Sequence, residues 1–133
     1  GAWVRMNPCD GRGIGDENTT ACRWGLLESD KLPLDLQVAL LAKLPVPIGA
    51  LITSGSRSLH AWVRLDAPDT DSGRAMLHRL RDLMEPFGMD KRNATVSRLS
   101  RLPGAVRKVG AVDGGEQRLV YLNPSATGMK GIL

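Results

Sequence analysis

The sequence predicts an α+β fold in which one antiparallel sheet carries two helices on a single face. Three observations lead there. In "SLHAWVRL", Ser58, His60, Trp62 and Arg64 alternate with Leu59, Ala61, Val63 and Leu65, and a period of two is that of a strand buried on one side. Met76, Leu77, Leu80, Leu83, Met84 and Phe87 recur at helical spacing. The elements follow the order strand, helix, strand, strand, helix, strand, a split βαβ (βαββαβ) arrangement that leaves the second sheet face open.

The elements read as follows along the chain. "AWVRM" is a short flanking strand, and "NPCDGRGIGDENTT" is a loop dense in turn formers. Glycines 11, 13 and 15 fail the dinucleotide-binding spacing, so the loop is expected to be a flexible flap. "CRWGLLESD" is the next strand, and "LPLDLQVALLAKLP" is a helix with Pro33 suited to its first turn and Pro45 ending it. "IGALITSG" and "SLHAWVRLD" are strands joined tightly at Gly55 and Ser56. The helix "DSGRAMLHRLRDLMEPFG" stops at Gly88, "TVSRLSRL" and "QRLVYLN" are strands, and the remainder reads as connection.

At 133 residues the chain is long enough to bury a core without staples, and 1–133 reads as one domain. The opening Gly1-Ala2 has the look of an appended pair, so the chain is expected to be a piece of a longer protein. Its net charge of +4 leans mildly toward polyanionic partners. From Lys91 to Lys108 it carries Lys91, Arg92, Arg98, Arg101, Arg107 and Lys108 with no acidic residue, a pattern that also suits a solvated basic face. Cys9 and Cys22 have neither zinc-site nor disulfide-scaffold spacing, which fits reduced thiols in the cytoplasm. Neither a membrane span nor a secretory leader is visible.

Three groups of residues point to chemistry. In "LLESD", Glu28 and Asp30 project from the same side of a strand, and paired carboxylates that would otherwise repel suit Mg²⁺ or Mn²⁺; the same pattern also suits a strand end running into solvent. In "SGSRSLH", a turn offers backbone N–H groups, Arg57 a cationic fork, and Ser58 and His60 donors from one face, a cradle for a triphosphate. In "FGMDKRN" and "SRLSRLPG", Asp90 stands where the chain returns to the sheet, while Arg98 and Arg101 suit phosphate. Asp90 is the candidate third carboxylate, with Asp66, at another strand end, as its alternative.

The order of these groups, an acidic pair, then Ser-x-His after a Ser-Gly turn, then a hydrophobic-Asp pair, resembles the three motifs of the archaeo-eukaryotic primase superfamily. The likeness is to the primase-polymerase domains of phages, plasmids and other mobile elements. It is carried by "RMNPCDG", "LLESDKLPLDLQ", "PIGALITSGSRSLHAWV", "SRLSRLPG" and "QRLVYLN". Ser56 replaces a glycine frequent in the second motif, and Glu28 opens the first where many relatives have Asp. The resemblance implies an RRM-like catalytic core performing template-directed nucleotidyl transfer with two divalent ions, as a DNA primase or polymerase. It implies Glu28, Asp30 and Asp90 as metal ligands, His60 with Ser58 on the nucleotide's phosphates, and Arg57, Arg98 and Arg101 on triphosphate or template. Partners would be nucleoside triphosphates and a single-stranded or primed DNA template, with a helicase or accessory domain in the parent protein and no membrane. Trp62 has two expected roles, stacking on a base or packing under a loop.

Two other classes make different demands. A non-catalytic RRM-like nucleic-acid-binding module needs exposed aromatics on its central strands, where this chain puts two carboxylates. A rolling-circle nuclease needs paired histidines and a tyrosine nucleophile; "LHAWV" has one histidine, and Tyr121 sits inside an expected strand.

Overall fold

A computed structural model describes residues 1–110 and 112–129. Its centre is a four-stranded antiparallel sheet of β2 (Trp24–Leu27), β4 (Leu59–Arg64), β3 (Ile48–Thr53) and β8 (Leu119–Leu122), in that order across the sheet. Helices α1 (Leu34–Lys43) and α2 (Thr70–Met84) cover one face. Leu59, Ala61, Val63 and Leu65 all point to that side and are buried together with Leu41 of α1 and Leu77, Leu80 and Met84 of α2. The alternation read from the sequence is therefore the boundary between core and site. Asp69 starts α2 by accepting a hydrogen bond from the Ser72 amide, which satisfies one of the unpaired amides of the first turn.

Four expectations are corrected in detail. Leu83 and Phe87 are more than half exposed, because the contact stripe of α2 is only as wide as the sheet beneath it, and Leu77, Leu80 and Met84 fill it. The strand expected over 22–30 ends at Leu27, so Glu28 and Asp30 lie just beyond β2, with Ser29 turned inward to donate to the Gly88 carbonyl at 2.6 Å. The loop after the first strand is folded on itself by a Cys9–Thr19 bridge and a 3₁₀ turn, Asp16–Asn18, with Thr20 N donating to Pro8 O. Residues 106–116, read as connection, form a hairpin of β6 (Val106–Val109) and β7 (Val112–Glu116).

The segment "TVSRLSRL" is strand only at β5 (Leu99–Arg101), which leaves the central sheet to pair with β1 (Trp3–Arg5). Its departure puts the last strand, β8, on the β3 edge instead of beside β2. The β2 edge is flanked by the irregular chain after α2, through a 2.8 Å bond from Asp90 N to Glu28 O. Asn7 ties the same region together, its amide donating to both Trp24 O and Val96 O. The β1–β5 ribbon crosses the sheet face opposite the helices, over His60 and Trp62. Among the described residues no helix is long and apolar enough to cross a membrane. Both cysteines are free thiols; burial, outweighing nearby Arg74, pushes Cys22 up to about 11.

Candidate active site

The ends of β2 and β4, the turn before β4, and the returning chain around Asp90 surround a cavity of about 500 Å³. Three carboxylates line it, Glu28, Asp30 and Asp90. So do five guanidiniums, those of Arg57, Arg92, Arg98, Arg101 and Arg107, which leave the cavity net positive. Ser54, Ser56 and Ser58 contribute from the turn. Glu28, Asp30, Arg57, Ser58, Asp90, Arg98 and Arg101, all singled out in the sequence, line this cavity, whereas His60 is buried directly behind Glu28. Asp66 does not line it; it pairs with Arg64 beyond the other end of β4.

The turn is rigid for a reason absent from the motif itself. Gln37 of α1, fully buried, donates its amide to the Leu32 and Arg57 carbonyls and accepts from the Leu59 N–H at 2.9 Å. It thereby brackets Ser58 between two fixed peptides. The Ser58 hydroxyl then donates to Glu28 Oε1 at 3.0 Å, and His60 Nε2 lies 3.3 Å from the same oxygen. No hydrogen bond reaches Glu28 Oε2 among the described residues, and Glu28 is one of the residues lining the cavity.

Behind His60 the chain of donors continues. Ser100 Oγ lies 3.0 Å from His60 Nδ1 and accepts from Trp62 Nε1 at 2.8 Å. Indole N–H only donates, so the assignment satisfying every group has the Ser100 hydroxyl donating to Nδ1 and Nε2–H donating to Glu28. Burial by itself would raise the Glu28 carboxyl. Hydrogen bonds from His60 and the Ser58 hydroxyl, with the charge of Arg98, outweigh it and hold the carboxyl below its ordinary value. Trp62 has the packing role: it sits edge-on to Trp24, centroids 5.8 Å apart, with its N–H committed to Ser100.

Ser100 is wholly buried and was not among the residues picked from the sequence. Replacing it with alanine should strand Trp62 Nε1 and His60 Nδ1 together, at a cost of about 1–3 kcal/mol. Urea unfolding of Ser100→Ala measures this, and a loss below about 0.5 kcal/mol would remove Ser100 from the network.

The other two carboxylates are held by cations. Asp90 N-caps a 3₁₀ turn, Lys91–Asn93, and its two oxygens receive Arg92, with Nη2 at 2.6 Å. Those bonds, working against partial burial, hold its pKa below the usual value. Asp30 lies 3.5 Å from Arg57 Nε in an exposed pair. Among the described residues no three acidic, histidine or cysteine side chains are gathered closely enough to hold a metal ion. The donor set nonetheless fits a hard divalent cation. It is all oxygen and lines one cavity. The Arg57–Asp30 pair is a surface contact of the kind worth about 0–1 kcal/mol, while Arg92 holds both oxygens of the mostly buried Asp90 and would have to yield to a cation there.

Three arginines are in a different condition. Arg98, Arg101 and Arg107 make no ion pair among the described residues, and Nε of both Arg98 and Arg101 is buried without a hydrogen-bond partner. Desolvated guanidiniums facing a cavity are the donors that an oxyanion with several acceptor atoms would satisfy. Arg107 comes from the β6–β7 hairpin, and its place here had no signal beyond membership of a basic run.

No family model and no curated protein sequence matches the chain. Among solved structures it is similar to the AEP domain of the cyanophage S-2L primase-polymerase, with a TM-score of 0.69 and 25% sequence identity. The match covers 93% of this chain and 64% of that one, so the chain spans under two thirds of its neighbour's length. The shared fold, extending over nearly the whole chain, relates it to the archaeo-eukaryotic primase superfamily.

Proposed function

We propose that the chain is a nucleotidyltransferase that joins nucleoside triphosphates to a 3′-hydroxyl on a DNA template, as a primase or polymerase does. The observation that carries this reading is one cavity lined by Glu28, Asp30 and Asp90 and by three arginines that have no carboxylate of their own. Its structural neighbour, a primase-polymerase domain, supports the same class.

Glu28, Asp30 and Asp90 would hold Mg²⁺ or Mn²⁺, which when bound neutralises charge on the phosphates and makes the attacking hydroxyl more acidic. Arg98, Arg101 and Arg107 bind the triphosphate and stabilise the negative charge that gathers on the leaving pyrophosphate. The amides of the turn before Ser58 orient the phosphates and Arg57 closes the same side, while Ser58, whose hydroxyl donates to Glu28 Oε1 and whose amide donates to Ser54 Oγ, holds the turn against that carboxylate. His60 stays behind Glu28 and fixes the direction of its carboxylate, so its contribution to the nucleotide is through that contact. Most of the acceleration comes from positioning and charge, since phosphoryl transfer asks little covalent chemistry of a protein. Template would lie along the site face, and a helicase or accessory domain would belong to the parent protein.

The non-catalytic RRM-like alternative is disfavoured by Trp24 and Trp62, which pack against each other and offer no open stacking platform on the central strands. Tyr121, the nucleophile a nuclease would need, lies on the edge strand beside residues of α1 and away from the cavity in front of His60.

Calorimetric titration with a nucleoside triphosphate and Mn²⁺ separates these readings. Wild-type protein should bind in a metal-dependent way, and Asp30→Asn should bind at least about tenfold more weakly. Binding that is unchanged or tighter in Asp30→Asn would leave only the fold relationship standing.

A further inference from the structure

Arg101 is held in the cavity by something other than an opposite charge. Trp3 and Arg101 are directly opposed across the β1–β5 ribbon, and the guanidinium carbon lies 3.6 Å from the centre of the indole ring. Trp3 is half exposed, lines the cavity, and tilts against the buried His60 ring with centroids 6.3 Å apart. Burial and the neighbouring Arg107 both work against the charge on Arg101, while Glu28 and Asp30 attract it. A long cationic side chain in that field has an obvious alternative: to swing onto a carboxylate.

That alternative would block the site twice, by cancelling a phosphate-binding charge and by occupying a carboxylate needed for a cation. An aromatic face holds a guanidinium by its quadrupole more weakly than a buried carboxylate does. It also leaves the N–H donors, which lie in the plane of the group, free to fork an oxyanion. We propose that Trp3 is a positioning residue for phosphate: it keeps Arg101 off Glu28 and Asp30, so that the guanidinium is available to the triphosphate. The inference rests on the nucleotidyl-transfer reading and adds to it a residue outside the three acidic and serine-histidine groups.

Leucine and phenylalanine at position 3 distinguish this role from simple packing over His60. Both retain apolar bulk, but only phenylalanine keeps a ring face. In Trp3→Leu, Mn²⁺-dependent triphosphate binding should weaken about fivefold to thirtyfold, and the KM for nucleotide should rise by more than kcat falls. Trp3→Phe should recover most of the binding. Arg101→Ala should weaken binding as well, and adding Trp3→Leu to it should cause little further loss, because the indole acts through Arg101. Equal weakening by Leu and Phe, or losses that multiply in the double variant, would overturn the proposal. Failure of the wild-type protein to bind triphosphate with Mn²⁺ would instead overturn the nucleotidyl-transfer reading, and this inference with it.

Discussion

Replacing Glu28 with glutamine is expected to lower nucleotide incorporation by about 10³-fold or more while the fold persists. The two outcomes separate because the two oxygens do different work. His60 Nε2 and the Ser58 hydroxyl both address Oε1, an oxygen that glutamine retains as its amide carbonyl. What the substitution removes is the negative charge and the second carboxylate oxygen, Oε2, which takes no hydrogen bond among the described residues. Circular dichroism and a melting curve close to wild type, with primer extension nearly abolished, is the expected pair of results. Activity within about threefold of wild type in a folded variant would mean that the carboxylate takes no part in the chemistry.

The same contacts give a pH dependence with a definite sign. The folded-state pKa of Glu28 is depressed, so its interactions with His60 and Ser58 contribute stability that is present above the ordinary carboxyl value of 4.5 and lost as pH falls through the folded value. Wild type should therefore lose stability below about pH 4.5 faster than Glu28→Gln, whose side chain does not titrate there. Unfolding free energies measured between pH 3 and 7 compare the two slopes, and parallel curves would show that the carboxylate gains nothing from His60.

How far the sequence could be read depended on whether a residue's role left a local pattern. Alternation in β4 sorted which side chains meet the helices, because successive residues of a strand point to opposite faces, but the polar face is not open: the β1–β5 ribbon covers it and buries His60. That Glu28, Asp30, Arg57, Ser58 and Arg98 would gather at one cavity was legible because each belongs to a short run of residues with the same demands. Ser100 and Gln37 were not, since each acts on a partner far away in the chain: Ser100 reaches back to His60 and Trp62, and Gln37 to the turn at Arg57. Gln37 did leave a faint trace, as a polar residue four before the buried Leu41 on the core stripe of α1. Such a position implies an obligation to hydrogen-bond something buried, though not what. The position of β8 was hidden for a related reason. Strand order in a sheet depends on which competing pairing wins, and the pairing of β5 with β1 is fixed by contacts nearly a hundred residues apart.

Gly55 carries the other large prediction, because it joins the turn before β4 to a hairpin the sequence did not reveal. Its φ of +77° is a left-handed conformation, and a Cβ built there would stand 2.4 Å from the Gly115 carbonyl oxygen and 3.0 Å from Arg107 Cβ. Alanine thus meets two penalties. The backbone conformation by itself costs about 1–3 kcal/mol, and the clash is with a peptide, which cannot rotate away as a side chain would. Gly115 N donates to Gly55 O at 2.9 Å, so relieving the clash means parting the hairpin from the turn. That motion takes Arg107 out of the cavity and loosens the peptides flanking Ser58. Gly55→Ala should accordingly lose stability by more than the backbone strain, and the surviving folded protein should bind triphosphate with Mn²⁺ at least about tenfold more weakly. The neighbouring Ser56→Ala, which adds no strain, serves as the reference for a change in the same turn. If Gly55→Ala bound triphosphate as tightly as that reference, docking of the β6–β7 hairpin on the turn would have no part in holding the phosphates.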